Sequence, residues 1–401
     1  MKSILIIVPY DDVYPPMNGG MQRCFHIIHQ LALYFDLTVI TFQSKQELLT
    51  AEKQYPAISK IKIISTKDIE PAKDVFSLFP KKLRYALRYR WIKKQLQAPA
   101  DGMFLKYYPA LKKAIKSKRY DAIILENLST LNAISIIRRY DKNVKIIYDA
   151  HNVDSNLAAH TVDKTRIRKI ESSLHETVNA LFVCSDTDQL EFEKMNRQPL
   201  NVRVIPNGVE VGAMPQAVDD ETGKRRILFC GFLDSLPNSE GLLWFYKNIW
   251  NQLQAVIQDI GLIVVGSGQL PAEARVMHSD PSIIFSGAVE NVKPWYEKAE
   301  LAIVPLLSGS GTRLKILEAM SLGLPVVSTS KGAEGIDYTN GENIIIADDA
   351  DCFKNSIVDL LTNSQKKAHI KSEARKLVQE KYEWNKIGVV MKDFLLIEVL
   401  I

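Results

Sequence analysis

The stretch Leu306-Leu307-Ser308-Gly309-Ser310-Gly311-Thr312-Arg313-Leu314-Lys315-Ile316-Leu317-Glu318-Ala319-Met320 decides the fold. An apolar run from Leu301 to Leu307 ends in a Gly/Ser loop, and helical spacing begins after it. A helix start presents free N–H groups and the positive end of a dipole, which suits an anion. Gly309 and Gly311 let a ligand approach the backbone closely. Arg313 and Lys315 fall in the first turn, where cations cost ~0.3–1 kcal/mol. A bound diphosphate reverses that penalty, and Arg supplies a bidentate fork. At ~100° per residue Gly311, Lys315 and Glu318 share one stripe, so the carboxylate could accept hydrogen bonds from a ribose below the phosphates. The bland alternative is a Gly-rich turn with solvated cations and a Lys315/Glu318 i,i+3 pair. The P-loop pattern GxxxxGK[ST] is absent, and Gly266-Ser267-Gly268 lacks the third glycine of a dinucleotide fingerprint.

Working outward, further short apolar runs read as strands at Ser3–Pro9, Leu37–Phe42, Ile61–Ile64, Ala122–Leu125, Val144–Tyr148, Ala180–Cys184 and Val202–Ile205. A second series follows at Ile227–Cys230, Leu262–Val265, Ile283–Phe285, Ala302–Pro305, Val326–Ser328 and Ile344–Ile346. Helical spacing lies between most of them, as in Gly20 to Tyr34 with Met21, Phe25, Ile28 and Leu31. Two βα series predict two doubly wound α/β domains. The divide falls in the Gly-, Pro- and Asp-rich stretch Gly208–Gly223. The expected domains are 1–209, 210–382 and a terminal helix over 383–401 that packs back toward the first.

With 401 residues, 46% hydrophobic and 24% charged, the chain is neither a disordered tail nor a collagen nor a low-complexity scaffold. No apolar run approaches the ~18 residues of a membrane span, and Ile4–Val8 is too short for a signal-peptide core. Cys24, Cys184, Cys230 and Cys352 form no CxxC pair and read as reduced, mostly buried thiols of a cytoplasmic protein. The net charge of +5 is uneven: Lys81 to Arg119 holds thirteen Lys or Arg and one acid, leaving the rest acidic. Within it Tyr85, Tyr89, Ile92 and Leu96 form a helical stripe among cations over Lys81–Gln97, suited to an anionic membrane surface or to packing on its own domain. No recognition motif accompanies the charge, so nucleic acid is not an expected partner.

Ligands of such sheets bind at the carboxyl ends of the strands. His151 follows one strand, with Asp149 placed to orient its ring, and Glu126 follows another, on what would be the acceptor side. Their bland readings are a structural hydrogen-bonder and a solvated loop acid. His26 and His29, i,i+3 on the first helix, have no evident third ligand, and no DxD motif has a convincing context. No metal and no cofactor are expected.

In this order the pieces resemble family 4 of the retaining GT-B glycosyltransferases. They are Asn18-Gly19-Gly20 with Arg23, Asp149 to Asn152, Ile205-Pro206-Asn207-Gly208, Pro237-Asn238-Ser239-Glu240-Gly241, Gly287-Ala288-Val289, Gly309 to Met320 and Gly323-Leu324-Pro325-Val326-Val327. The resemblance implies two Rossmann-like domains facing across a cleft and metal-independent sugar transfer from a nucleoside diphosphate sugar to a hydroxyl, in polysaccharide or glycolipid assembly. It implies that Gly19 and Gly20 meet the donor diphosphate from one side and Ser310, Gly311, Thr312, Arg313, Leu314 and Lys315 from the other. Glu318 would take the ribose, the turn at Gly287 and Val289 the nucleobase, and His151 the transferred sugar. The acceptor would be a glycan or lipid-linked, with the protein cytoplasmic or peripheral on the inner membrane face. There are two departures. The first glutamate of the family's pair is Ser310, and the loop Gly231-Phe232-Leu233-Asp234-Ser235 lacks the usual Arg and Lys, moving phosphate binding to Arg313 and Lys315. A GT-B sugar-nucleotide epimerase and a non-catalytic nucleotide-sugar-binding protein remain the alternatives.

Overall fold

The computed structural model describes residues 1–68, 103–158, 161–212, 225–309 and 313–401. The run after Met1-Lys2 forms β1 (Ser3–Ile7), buried along its whole length. Lacking polar alternation, it can only be a central strand covered on both faces. Around it stand β2 (Asp36–Thr41), β3 (Lys62–Ser65), β4 (Ala122–Glu126), β5 (Lys145–Asp149), β6 (Ala180–Val183) and β7 (Val202–Val204). All pair in parallel, in the order β3-β2-β1-β4-β5-β6-β7. The order reverses between β1 and β4, where a doubly wound sheet opens a crevice.

The second series repeats the plan with β8 (Arg225–Cys230), β9 (Ile260–Val265), β10 (Ile283–Gly287), β11 (Leu301–Val304), β12 (Val326–Ser328) and β13 (Ile345–Ile346). Its order, β10-β9-β8-β11-β12-β13, is again all parallel and switches between β8 and β11. Two apolar clusters, one centred on Phe229, Phe245 and Trp250 and one on Leu228, Ile316 and Met320, build its core. Each fully buried side chain of this size contributes about 1.5–3 kcal/mol.

The chain divides into two compact units, Met1–Pro206 with Ile387–Ile401, and Asn207–Lys386. The helix Trp384–Phe394 therefore starts in one and ends in the other. Met391 and Phe394 are buried in the first unit, where the Phe394 ring lies 5.8 Å from that of Phe182.

Two helices of the first unit bear on function. In α1 (Gly19–Ala32) the Asn18 side chain accepts from the Met21 amide at 3.0 Å, so the helix starts one residue before the expected Gly20. In α2 (Met103–Ser117) Tyr107, Ala110, Leu111 and Ala114 are fully buried, while Lys113 and Lys116 are exposed. This part of the basic window packs on its own domain. The expected membrane-facing stripe at Lys81–Gln97 lies outside the described residues. No helix among the described residues is long and apolar enough to cross a membrane. Cys24 and Cys184 are buried and Cys230 half-buried, but Cys352 is exposed at a helix start, which corrects the expectation for that thiol.

Candidate active site

At the β8/β11 switch point the loop after β8 runs into α3 (Leu236–Phe245), and the loop after β11 into α4 (Leu314–Ser321). Arg313 is the N-cap of α4 and Lys315 its second residue. The Lys315 ammonium does not turn back along its own helix. Its Nζ donates to Asn238 Oδ1 on α3 at 2.7 Å and stands 5.1 Å from the centre of the Phe229 ring. A Cβ on Gly231 would lie 2.7 Å from Nζ and 2.9 Å from the Asn238 side chain, so the lysine crosses directly over the Gly231 backbone. Asn238 Nδ2 donates to the Phe232 carbonyl at 2.9 Å, which fixes the amide. Burial pulls the Lys315 pKa down to about 8, with Cys230 and Glu318 opposing and the Arg313 charge assisting. Lys315 makes no ion pair among the described residues.

Glu318 and the carbonyl of Lys315 both accept from the buried Tyr296 hydroxyl, each at 3.4 Å. The tyrosine thereby ties the expected ribose carboxylate to the backbone under the expected phosphate lysine. Gly309 has φ +97, and a Cβ there would be 3.1 Å from Arg313 Nη2, so only glycine fits both the backbone and the guanidinium. Ser308 Oγ donates to Glu240 Oε2 at 2.8 Å. Gly287 ends β10 with φ +66 and open space where a Cβ would stand; Val289 and Leu314 are half-buried against the core. Ser310, Gly311 and Thr312 lie outside the described residues.

At the β1/β4 switch point the ends of three elements bring charged groups together. The register pairs Glu126 with Asp149, each the last residue of its strand. Arg23, on α1, reaches Asp149 through Nε at 2.8 Å and Nη2 at 2.5 Å, and donates through Nη1 to the Ile205 carbonyl at 2.7 Å. His151 Nε2 lies 3.0 Å from Glu126 Oε2 and 3.5 Å from Asp149 Oδ2. Cys24 Sγ donates to Glu126 Oε2 at 3.2 Å. Although burial works against it, hydrogen bonds to Asp149 and Glu126 raise the His151 pKa to about 9. Burial, with the Asp149 charge, pushes Glu126 up to about 7. The Arg23 guanidinium, overcoming burial, holds Asp149 well below the usual carboxylate range. The site thus holds an imidazolium between one permanent carboxylate and one that titrates near neutrality.

Residues 19–212 match the family described as Glycosyltransferase Family 4, and residues 224–363 match Glycosyl transferases group 1. A protein of the Klebsiella pneumoniae cps region, described as uncharacterized, is 25% identical over 96% of this chain and 97% of its own. A Campylobacter jejuni α-1,4-N-acetyl-D-galactosaminyltransferase acting on an undecaprenol-diphosphate glycan is 24% identical over 69% of this chain and 79% of its own. Among solved structures, the Anabaena protein HepE in complex with UDP and glucose superposes with TM-score 0.70, at 15% identity, over 98% of this chain and 99% of that one. The chain is a GT-B glycosyltransferase. Its two parallel-sheet units are the two domains of that fold.

Within this glycosyltransferase the expected site residues separate into two groups. Arg313, Leu314, Lys315 and Glu318 gather at the α4 start, and Gly20, His151 and Glu126 at the β1/β4 edge. Glu126 is not a solvated loop acid: it ends β4, is fully buried, and its Oε2 is spent on Cys24 and His151. As placed it supports the histidine. His26 and His29 pack edge-on against Tyr55, and burial lowers His26 to about 3. Cys24, Glu126 and His151 bring one potential metal ligand atom each within 4.8 Å of the others. Those atoms already share hydrogen bonds, which accounts for their spacing. Three contributors escaped the sequence: Cys24, Asn238 and Tyr296. Only Asn238 carried a signal, as part of Pro237-Asn238-Ser239-Glu240-Gly241.

Proposed function

We propose that this glycosyltransferase moves a sugar from a nucleoside diphosphate sugar to the hydroxyl of a lipid-linked or polysaccharide acceptor in cell-surface glycan assembly, with retention of configuration and without a metal ion. The observation that carries the reading is the half-buried Lys315 ammonium at a helix start, with a neutral amide for a partner. A desolvated cation without a counter-ion is unfavourable until an anion arrives. A diphosphate would supply that charge where the helix dipole also favours it. His151, held as an imidazolium, would face the transferred sugar and the charge that develops as the diphosphate leaves. The Campylobacter relative's undecaprenol-diphosphate substrate supports a lipid-linked acceptor, and the UDP held by the Anabaena protein puts uridine first among donors to try.

The test is a panel of nucleoside diphosphate sugars read by thermal shift, because a ligand of the folded state raises stability by RT ln(1 + [L]/Kd). One base is expected to stand out. Free nucleoside diphosphate released only when an acceptor is present separates a transferase from an epimerase or a binding protein. Product anomer analysis checks retention. Activity surviving EDTA supports metal independence, and loss restored by magnesium or manganese overturns it. The cytoplasmic, peripheral placement we propose rests on the basic window Lys81–Arg119. Flotation with acidic but not neutral vesicles at low salt supports it, and sedimentation with both removes it.

A further inference from the structure

The hydrogen bonds that space Cys24, Glu126 and His151 also hold three ligand atoms of the kinds a thiophilic divalent cation takes. Cys24 stands on α1, Glu126 ends β4 and His151 follows β5, all within the first unit. Cys24 Sγ is 3.2 Å from Glu126 Oε2, Oε2 is 3.0 Å from His151 Nε2, and Nε2 is 3.9 Å from Sγ. A tetrahedral zinc ion, with bonds of ~2.3 Å to sulfur and ~2.0–2.1 Å to nitrogen and oxygen, needs edges of about 3.3–3.6 Å between its ligand atoms. Each observed edge is within roughly 0.4 Å of that range, a difference that small side-chain rotations absorb.

Two further observations point to a cation. Glu126 Oε1 is buried and has no hydrogen-bond partner among the described residues. Such an orphan acceptor beside a thiol and an imidazole is at hand for a further coordination position. On the other side of the ring, His151 Nδ1 lies 3.3 Å from the Tyr10 hydroxyl. A ligating histidine gives its second ring N–H to such an acceptor, which fixes the tautomer that leaves Nε2 for the metal. The ligand set also selects the ion. Thiolate, imidazole and one carboxylate suit zinc, whereas magnesium and calcium take oxygen ligands. Asp149 adds negative charge 3.5 Å from Nε2 while it stays paired with Arg23. Of the three ligands only His151 reaches solvent, at 8% exposure, so an ion enters along its ring.

We propose that Cys24 Sγ, Glu126 and His151 Nε2 form an inhibitory zinc site at the β1/β4 edge. Binding is balanced by loss of the Sγ and Nε2 protons to solvent, so a thiolate and a neutral imidazole hold the ion. The metal-free enzyme is the active form. With zinc bound, His151 is locked on the ion and no longer presents a charged ring to the sugar. The inhibition rests on the role given to His151 above, whereas the site itself does not. Sugar transfer stays independent of metal, and a chelator restores it.

Cobalt serves as a coloured stand-in for zinc, on the full chain carrying Cys352→Ser to remove the exposed thiol. One Co2+ per chain is expected, with tetrahedral d–d bands and a thiolate-to-metal band that Zn2+ abolishes. Competition with a chromogenic chelator gives the zinc affinity. Cys24→Ala is expected to weaken it by more than the ~10–100-fold that loss of a ligand's hydrogen-bond partner costs, and Tyr10→Phe to fall within that range. Cys24→Ser, which keeps a hydroxyl donor toward Glu126, takes the place of Cys24→Ala if the alanine variant does not fold. Absence of the thiolate band from the Cys352→Ser protein overturns the proposal, as does its persistence in a folded Cys24 variant. In a transfer assay Zn2+ is expected to inhibit half-maximally near its measured Kd, with EDTA restoring the rate. If zinc binds through Cys24 and transfer continues at full rate, the inhibitory role falls, and with it the placement of His151 at the sugar. If no thiolate band appears while transfer proceeds, the site falls and the transferase reading stands.

Discussion

At the β1/β4 edge Arg23, Asp149, Glu126 and His151 are matched to one another, whereas at the β8/β11 edge a half-buried ammonium is left with an amide. Both are switch points of the same strand order, so topology alone does not account for the difference. In the first unit the charges are supplied by three elements that the sheet register brings together, and each cation meets an anion from its own chain. In the second the cation is set on a glycine-lined helix start and makes no ion pair among the described residues. The first arrangement encloses one histidine among its own charges; the second leaves an ammonium bonded to an amide.

The strongest way to break that contrast is to remove an anion from the first unit. Asp149→Asn leaves the Arg23 guanidinium, 1% exposed, beside a neutral amide. Breaking a buried pair in this way costs about 3–5 kcal/mol. Urea unfolding of the first unit is expected to move to much lower denaturant. The exposed pair Lys118–Asp36 is the internal control, and Lys118→Ala is expected to cost at most ~1 kcal/mol. Equal effects of the two variants would mean that the buried pair is not what holds the β1/β4 edge.

A pH titration sharpens the contrast, because the two units respond with opposite sign. His151 has a folded pKa of about 9, above its ordinary value of 6.5, so its contribution is complete below 6.5 and is lost as pH rises through 9. Glu126, raised from 4.5 to about 7, loses its contribution over that lower window. Lys315 is lowered from 10.5 to about 8, so the unfolded state holds the proton more tightly and the second unit gains stability between those values. From pH 7 to pH 10 the first unit is expected to lose, and the second to gain, on the order of 2 kcal/mol through these groups. Trp91→Phe leaves tryptophans only at 244, 250, 295 and 384, all in the second unit. Its fluorescence-detected transition should therefore hold or rise while the calorimetric transition of the first unit falls. Parallel movement of both would contradict the assignment.

Ligand binding separates the units in the other direction. Lys315→Met replaces the ammonium that stands over the Phe229 ring with an uncharged side chain. Loss of a charge-assisted bond to phosphate is worth ~1.5–3 kcal/mol, or roughly 10–150-fold in nucleoside diphosphate affinity. The melting temperature without ligand is expected to stay level or rise, since a desolvated cation is gone. A drop in melting temperature with affinity intact would make Lys315 a structural residue.

The fold was legible because its signal is local. Ile4 to Val8 and Leu301 to Leu307 are apolar without alternation, and each is followed by turn residues, so buried parallel strands could be read off directly. Residual errors are of one or two residues, as at β3, expected from Ile61 and observed from Lys62. Glycines and cations at the α4 start were legible for the same reason. What could not be read is which side chains meet across strands. Glu126 and Asp149 are neighbours only because β4 pairs with β5 in that register, and Arg23 joins them from more than a hundred residues away. A loop acid and a paired strand-end acid look the same in one sequence. Nor could it show that Lys315 would bond to Asn238 on α3 instead of Glu318 on its own helix.

The smallest effect expected is also the most specific. Gly231 carries no positive φ, so alanine is compatible with its backbone, and reduced unfolded-state freedom would favour the variant by about 0.4–1 kcal/mol. The added methyl would press on Lys315 Nζ and on the Asn238 side chain, which are the far ends of flexible groups and can give way. Gly231→Ala should therefore fold as well as wild type but displace the ammonium from its place above the loop. Nucleoside diphosphate affinity is expected to fall only ~3–10-fold, about 1 kcal/mol, because a moved lysine still attracts phosphate. The decisive measurement is the double-variant cycle with Lys315→Met. If Gly231 matters because the lysine crosses it, alanine should cost almost nothing once the ammonium is gone. A loss of the same size in both backgrounds would show that the loop acts on the ligand independently of Lys315, and the uncompensated cation would no longer distinguish the second unit from the first.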